Sequence, residues 1–290
     1  MFGPTEKYTV TQPLRHEPAY VKQIRELAER TDGIASAMAE VFCRANILVR
    51  VIGDTTQWEK GGKGALLIGD HRDRIEFAPL LAVLGNMGRE DMHFFSKPFS
   101  TNARVIKSLG RYAAGVTLPV VPGTLARDRA NVWNRDLGWR IVNRNHLPTR
   151  DEIAVINDNT LARAAALVSS GRLVSLYPAG GVMDASKRPW RQGVGKLIKL
   201  IPPRAHDGTR IILFRFDDFS AARLIRSLTL QAHGFNPRPY SVTLRLSKPQ
   251  SVGELLCTVP GGDAGAHAPE ITERLREQFV STFGSTRPNR

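Results

Sequence analysis

The chain has 290 residues, 42% of them hydrophobic, enough to bury the core of one large domain or two small ones, so disorder is excluded as the default state. Its 41 Lys and Arg against 27 Asp and Glu leave a formal charge of +14 and a pI near 10.4. That balance favours phosphate-bearing or acidic partners without choosing among nucleic acid, anionic lipid, coenzyme A and an acidic carrier protein. Two cysteines, Cys43 and Cys257, stand far apart and outside any C-x-x-C spacing; they exclude a disulfide framework or zinc cluster and read as small buried hydrophobes.

Residues 1–17 are polar and irregular, without the charged start, apolar stretch and cleavage site of a secretory leader. Residues 16–45 then carry apolar positions at helical spacing, which predicts one or two N-terminal helices. Strands are predicted at "NILVRVIG" (46–53) and at "GALLIGD" (64–70), the second a continuous apolar run of the kind covered on both faces. "IEFAPLLAVLGNMG" reads as a helix closed by glycine, "DMHFFSK" as a strand, "TNARVIKSLGRYA" as a helix and "GVTLPVVP" as a strand.

The stretch from "GTLARDRANVW" to "NRNHLPTR" is rich in Arg, Asn and Trp, lacks periodicity and reads as a long loop or lid. A clear helix, "DNTLARAAALVSSG", leads to the strand "RLVSLYP" and a glycine-containing turn. "GVGKLIKLI" is a helix, "RIILFRF" and "YSVTLRLSK" are strands, and "APEITERLREQFVSTFG" is a terminal helix. Alternating strands and helices predict an α/β fold with a mixed, partly parallel central sheet flanked by helices, and with the N-terminal helices added to it. The expected division is residues 1–45, a polar segment and helices; 46–284, the α/β domain; and 285–290, a tail. The longest uncharged stretch, 112–126, contains two prolines and two glycines and is shorter than the roughly 20 apolar residues of a spanning helix, so no transmembrane helix is expected.

The chemistry-bearing cluster is "DHRDRIE" (70–76), where an apolar strand ends on Gly69, Asp70 and His71. Ligands of such sheets gather beyond the carboxyl ends of the strands, which is where His71 falls. An imidazole there can take a proton from a hydroxyl near neutral pH if a carboxylate holds its other nitrogen. Glu76 is five residues on, about 140° round a continuous helix, so the two meet only with His71 in the turn and Glu76 at the helix start. Asp73 or Asp70 could hold the imidazole instead. The alternative is a helix N-terminus in which Asp73 is the cap, Glu76 its capping-box partner and His71 an exposed loop residue. "DD" at 217–218 reads as turn chemistry, and His93 as a packed strand residue.

The residues resemble the glycerolipid acyltransferases, the family of glycerol-3-phosphate and 1-acylglycerol-3-phosphate acyltransferases. "DHRDRIE" lies over the family's N-H-x-S-x-x-D motif, with Glu76 in place of Asp. "YPAGGVM" (177–183) lies over F-P-E-G-T-R-S, followed by a basic loop and a helix. The similarity runs from about residue 46 to 280, with the two motifs about 100 residues apart.

The resemblance implies transfer of a fatty acyl group from acyl-CoA or acyl-carrier protein to a hydroxyl of glycerol phosphate or a lysophospholipid, with no cofactor beyond the acyl co-substrate. It implies His71 as general base, Glu76 as its orienter, and the backbone around Gly180 and Gly181 as a substrate or oxyanion cradle. It further implies a cytoplasmic protein held on an anionic membrane surface. The motif glutamate is Ala179 here and the motif arginine Val182, so cations for an acceptor phosphate are sought at Arg127, Arg129, Lys187, Arg188 and Arg191, because the planar guanidinium pairs with phosphate through two parallel hydrogen bonds.

Two rivals remain: a lipid-binding or regulatory protein of the same fold, and, ranked last, a basic nucleic-acid binder using the Trp and Arg of residues 127–145. A G-x-S-x-G elbow, a complete P-loop and a complete dinucleotide fingerprint are all lacking.

Overall fold

The computed structural model describes residues 17–58, 63–70, 75–96, 108–109, 112, 117–123, 126, 148–179 and 189–284. In chain order the elements are α1 (Ala19–Thr31), α2 (Ile34–Arg44), β1 (Ile47–Ile52), β2 (Ala65–Gly69), α3 (Phe77–Asn86), β3 (Met92–Ser96) and β4 (Thr117–Pro119). Then come α4 (Arg150–Ser169), β5 (Leu173–Leu176), α5 (Gly193–Leu200), β6 (Arg210–Asp217), α6 (Ala221–Ala232), β7 (Tyr240–Leu246) and β8 (Gln250–Ser251). Helices α7 (Val252–Leu256), α8 (Gly262–Gly265) and α9 (Ala268–Phe283) complete the described chain.

The strands form one mixed α/β sheet, eight-stranded among the described residues, in the order β1-β7-β6-β2-β5-β3-β4 with β8 on β6. From β6 to β4 every pairing is parallel. β7 runs antiparallel to β6 and β1 parallel to β7, so these two strands point the other way. Side-chain alternation sends Ala65, Leu67, Ile212 and Phe214 into one layer with α1, α2, α3 and part of α6. Leu66, Ile68, Ile211 and Leu213 go into the other, with α4, α5, α7 and α9. Both faces are thus covered at β2, which explains its unbroken apolar run and full burial.

Local chemistry fixes the joints. Beyond the end of α3, Gly88, with a φ of 70°, turns the chain so that the Arg89 N–H donates to the Leu84 carbonyl, 2.9 Å away. Gly33, the N-cap of α2, has no side chain to cap with, and Glu90 does so instead: its carboxylate accepts the Ala35 and Ser36 N–H groups at 2.8 and 2.7 Å. Below the amino ends of the strands, buried Arg89 pairs with Asp91 at 2.6 Å and donates to the Gly171 carbonyl at 3.0 Å. Where β7 leaves β6, the Ser247 hydroxyl replaces a strand carbonyl and accepts the Leu213 N–H at 2.9 Å.

The structure alters three sequence expectations. Helix α4 begins at Arg150, eight residues before "DNTLARAAALVSSG", because Thr149 and Glu152 form a reciprocal capping box. Helix α6, with Ser220 as its cap, was not anticipated. Cys43 and Cys257 are exposed free thiols rather than buried hydrophobes: α2 buries Val41 and Phe42 and leaves Cys43 on its solvent side, while Cys257 follows the buried end of α7. His93 is buried in β3 as expected. The 217–218 pair is turn chemistry, with Asp217 bound to Arg215 and Arg245 and Asp218 at a φ of 60°.

Candidate active site

Strands β2 and β5 are neighbours in parallel register, with Ile68 opposite Leu176. The two stretches singled out in the sequence, beginning at Asp70 and Tyr177, therefore leave the sheet side by side at its carboxyl edge. Parallel pairing makes this possible, since both chains exit in the same direction.

Two carboxylic acids are buried at this edge, Asp70 at 1% and Glu76 at 2% exposure. Each engages other groups of the fold. A carboxylate is retained at such burial only with partners to replace its hydration. Helix α3 starts at Phe77, so Glu76 occupies its cap position and makes no side-chain capping bond; it is not the third residue of a helix capped at Asp73. The residue before it, Ile75, has a φ of 60°. A β-branched residue in the left-handed region costs about 1–3 kcal/mol, and such strain persists only where the surroundings impose it. Here the packing of Ile75 and Phe77 on the core imposes it, with the Phe77 ring stacked 4.7 Å from Phe94.

Gly69 sets the spacing on the same side. A Cβ there would lie 2.3 Å from Cζ of Phe214, so only glycine lets that ring cross the end of β2. Phe214 in turn meets Tyr177 edge-on, with ring centroids 5.7 Å apart. Burial, and after it the Glu76 charge, push the Tyr177 phenol well above its ordinary pKa. Glu76 and Ser175 are buried and Tyr177 half-buried in this region, where the Glu76 charge acts on the phenol.

The turn after β5 begins with Pro178 and Ala179, the latter 8% exposed. The chain comes back to this turn at Arg191, whose N–H donates to the Pro178 carbonyl at 3.0 Å while its side chain is exposed. Next to it, Trp190 is buried edge-to-face on Phe279 at 5.6 Å. On the far side of the site, Asn157 of α4 brackets Val121: its Nδ2 donates to the Val121 carbonyl at 3.0 Å and its Oδ1 accepts the Val121 N–H at 2.9 Å. Thr160 donates to the Pro119 carbonyl at 2.8 Å.

Of the residues proposed from sequence, Glu76 and Arg191 are therefore placed at this edge. His71, Arg127, Arg129, Gly180, Gly181, Lys187 and Arg188 lie outside the described residues, as do Asp73 and Val182. Sequence reasoning missed Tyr177 and Ser175 as polar members of the site, and Asn157 and Thr160 as anchors of the chain leaving β4. The signal for Tyr177 was its hydroxyl, at a position where the resembled motif has Phe. Among the described residues no group of three or more His, Cys, Asp or Glu could hold a metal ion.

No family model and no curated protein matches the chain. Among solved structures it is similar to the 1-acyl-sn-glycerophosphate (LPA) acyltransferase, PlsC, from Thermotoga maritima, at 14% identity and a TM-score of 0.44, over 91% of this chain and 76% of that one. A likeness at that level speaks to neither activity nor substrate.

Proposed function

We propose that the chain is an O-acyltransferase that moves a fatty acyl group from acyl-CoA or acyl-carrier protein to a hydroxyl of glycerol phosphate or a lysophospholipid. The observation that carries this reading is the meeting of two sequence motifs, about 100 residues apart, on adjacent parallel strands, with the first motif's carboxylate buried at that edge.

In this mechanism His71 takes the proton of the acceptor hydroxyl while its other ring nitrogen donates to Glu76, which holds the ring in one tautomer. The acceptor oxygen forms a bond to the thioester carbonyl carbon, and backbone N–H groups around Gly180 and Gly181 hold the oxyanion. Collapse breaks the carbon–sulfur bond, and the thiolate leaves with the proton from His71. No acyl-enzyme is required, because the thioester is already activated. Arg127, Arg129, Lys187, Arg188 and Arg191 are the cations for acceptor or donor phosphate.

Among the described residues no helix is long and apolar enough to cross a membrane. A lipid acceptor is then met at a bilayer surface, where the charge of +14 favours anionic headgroups.

One observation favours a second reading, a lipid-binding protein without turnover. The position of the motif glutamate is occupied by Ala179, a buried apolar residue that offers nothing to a polar substrate. Turnover of a labelled acyl thioester with a panel of lysolipid and glycerol phosphate acceptors separates the two. Acyl transfer abolished by His71→Ala, with the far-UV spectrum unchanged, is expected; full activity in that variant would rule out the mechanism, and saturable lipid binding without turnover in the wild type would establish the second reading.

A further inference from the structure

Strand direction brings a second feature to the edge that carries the candidate site. Because β7 is antiparallel to β6, it begins where β6 and β2 end: Asp217 lies opposite Thr243, and Gly69 opposite Phe214. The turn that feeds β7, residues 233–239, therefore emerges at the same carboxyl edge as the exits at Asp70 and Tyr177. Two contacts hold it there. Asn46 Nδ2, just before β1, donates to the Pro237 carbonyl at 3.4 Å, and the Tyr240 hydroxyl accepts the Ser220 N–H at 2.6 Å.

That turn presents an aromatic side chain to solvent. After His233, the C-cap of α6, Gly234 has a φ of 81° and its N–H donates to the Gln231 carbonyl at 3.0 Å, while the Phe235 N–H donates to the Leu230 carbonyl at 3.0 Å. This pair of bonds commonly folds an apolar side chain at the second position back onto the last helical turn. Phe235 is instead 63% exposed, the most exposed large hydrophobic side chain among the described residues. Its backbone is fixed and its ring is uncovered. On α6 itself Ala222, Arg223, Ile225 and Arg226 are exposed, whereas Ala221, Leu224, Ser227 and Leu228 are buried against the fold. Arg238 is exposed shortly after Phe235. All 27 acids of the chain fall outside residues 219–253, and among the described residues Arg223, Arg226 and Arg238 form no ion pair.

We propose that α6 and the turn after it are a docking surface for an anionic bilayer, with Arg223, Arg226 and Arg238 at the level of the lipid phosphates and Phe235 and Ile225 reaching below them. Charge complementarity selects a negative surface, since the acid-free stretch carries its cations unneutralised. The two apolar side chains select lipid: a nucleic acid would satisfy the arginines and leave Ile225 and Phe235 in water, whereas a bilayer interface receives both. Docking here turns the carboxyl edge of the sheet toward the leaflet. For that purpose alone the proposal rests on the acyl-transfer reading, in which a lipid acceptor reaches the edge at Asp70 and Tyr177.

The test is co-sedimentation of the full chain with vesicles of phosphatidylcholine, alone or with an equal part of phosphatidylglycerol. The wild type should bind the anionic vesicles and release them in high salt. Replacing Arg223, Arg226 and Arg238 by Gln should weaken binding about fivefold each and on the order of 100-fold together, and Phe235→Ser about 10-fold. Leu200→Ser, which removes an exposed side chain of α5, should bind like the wild type. In Phe235→Trp the added emission should shift to the blue on anionic vesicles and be quenched by brominated acyl chains. No vesicle binding by the wild type, undiminished binding in the arginine and Phe235→Ser variants, or an equal loss in Leu200→Ser overturns the proposal. So does an arginine variant that loses oligonucleotide binding and keeps the vesicles. Turnover separates this surface from the chemistry: Phe235→Ser should keep its activity on dissolved glycerol phosphate and lose it on a vesicle-held lysolipid. Vesicle binding through these residues with no thioester turnover sinks the acyl-transfer reading and leaves the surface standing.

Discussion

Replacing Gly69 by alanine tests how tightly the end of β2 is built. The added Cβ would lie 2.3 Å from Cζ of Phe214 and 2.6 and 2.7 Å from its two Cε atoms. Carbon atoms in contact sit about 3.5–4.0 Å apart, so the ring must retreat by more than ~1 Å. Its freedom to do so is small, since Tyr177 and Phe216 hold it edge-on at 5.7 and 5.8 Å between centroids. Overpacking of this kind costs about 1–3 kcal/mol. For a chain of this size that is roughly 2–4 °C of Tm per kcal/mol, measured by thermal or denaturant unfolding. The mechanism has a specific signature in a double-mutant cycle with Phe214→Leu, which removes the ring that the added methyl would strike. In that background Gly69→Ala should cost close to nothing, or gain a few tenths of a kcal/mol from reduced chain entropy. Equal costs in both backgrounds, or a Gly69→Ala protein as stable as the wild type, would show that the ring and the glycine are not coupled. Thioester turnover should fall in the same variant by more than its stability loss explains, because the end of β2 that must adjust carries Asp70 and leads directly to His71.

Glu90→Ala leaves the first N–H groups of α2 without their acceptor and should destabilise the fold by about 1–2 kcal/mol in urea unfolding. Gly33→Ala should act through the same contact, since its Cβ would lie 2.1 Å from the Glu90 Cδ, so the two losses should fall well short of additive. The Tyr177 phenol makes alkaline stability sensitive to a single residue. Its folded pKa is raised, chiefly by burial, so below the unfolded value near 10 it changes nothing. Above that value the unfolded chain releases a proton that the folded chain keeps, and stability falls by up to ~1.4 kcal/mol per pH unit until the folded phenol titrates. Tyr177→Phe should flatten that slope in unfolding curves taken above pH 10, and an unchanged slope would show the phenol to be in an ordinary environment.

The sheet's central strands were legible because they are buried on both faces: "ALLIG", "LVSL" and "RIILFRF" are continuous apolar runs, and continuity is what double coverage demands. The α4 boundary was legible in principle, through the Thr149 and Glu152 pair, but apolar spacing alone located only the helix's second half, where burial is densest. Helix α6 was overlooked in a stretch that alternates Arg with Leu and Ile, and the exposure of Cys43 depended on which side of α2 met its neighbours.

By itself the sequence determined that strands and helices alternate, that His71 and Glu76 follow a buried strand, and that a proline and glycine turn follows another. Periodicity reports the face a side chain takes and is silent about which strand lies alongside. Only the tertiary structure decided that β2 and β5 are partners, that β7 and β1 reverse at the far edge, and that the stretches beginning at Asp70 and Tyr177 leave the sheet side by side. Those facts depend on hydrogen-bond pairing and packing between residues about 100 positions apart, which no local pattern encodes.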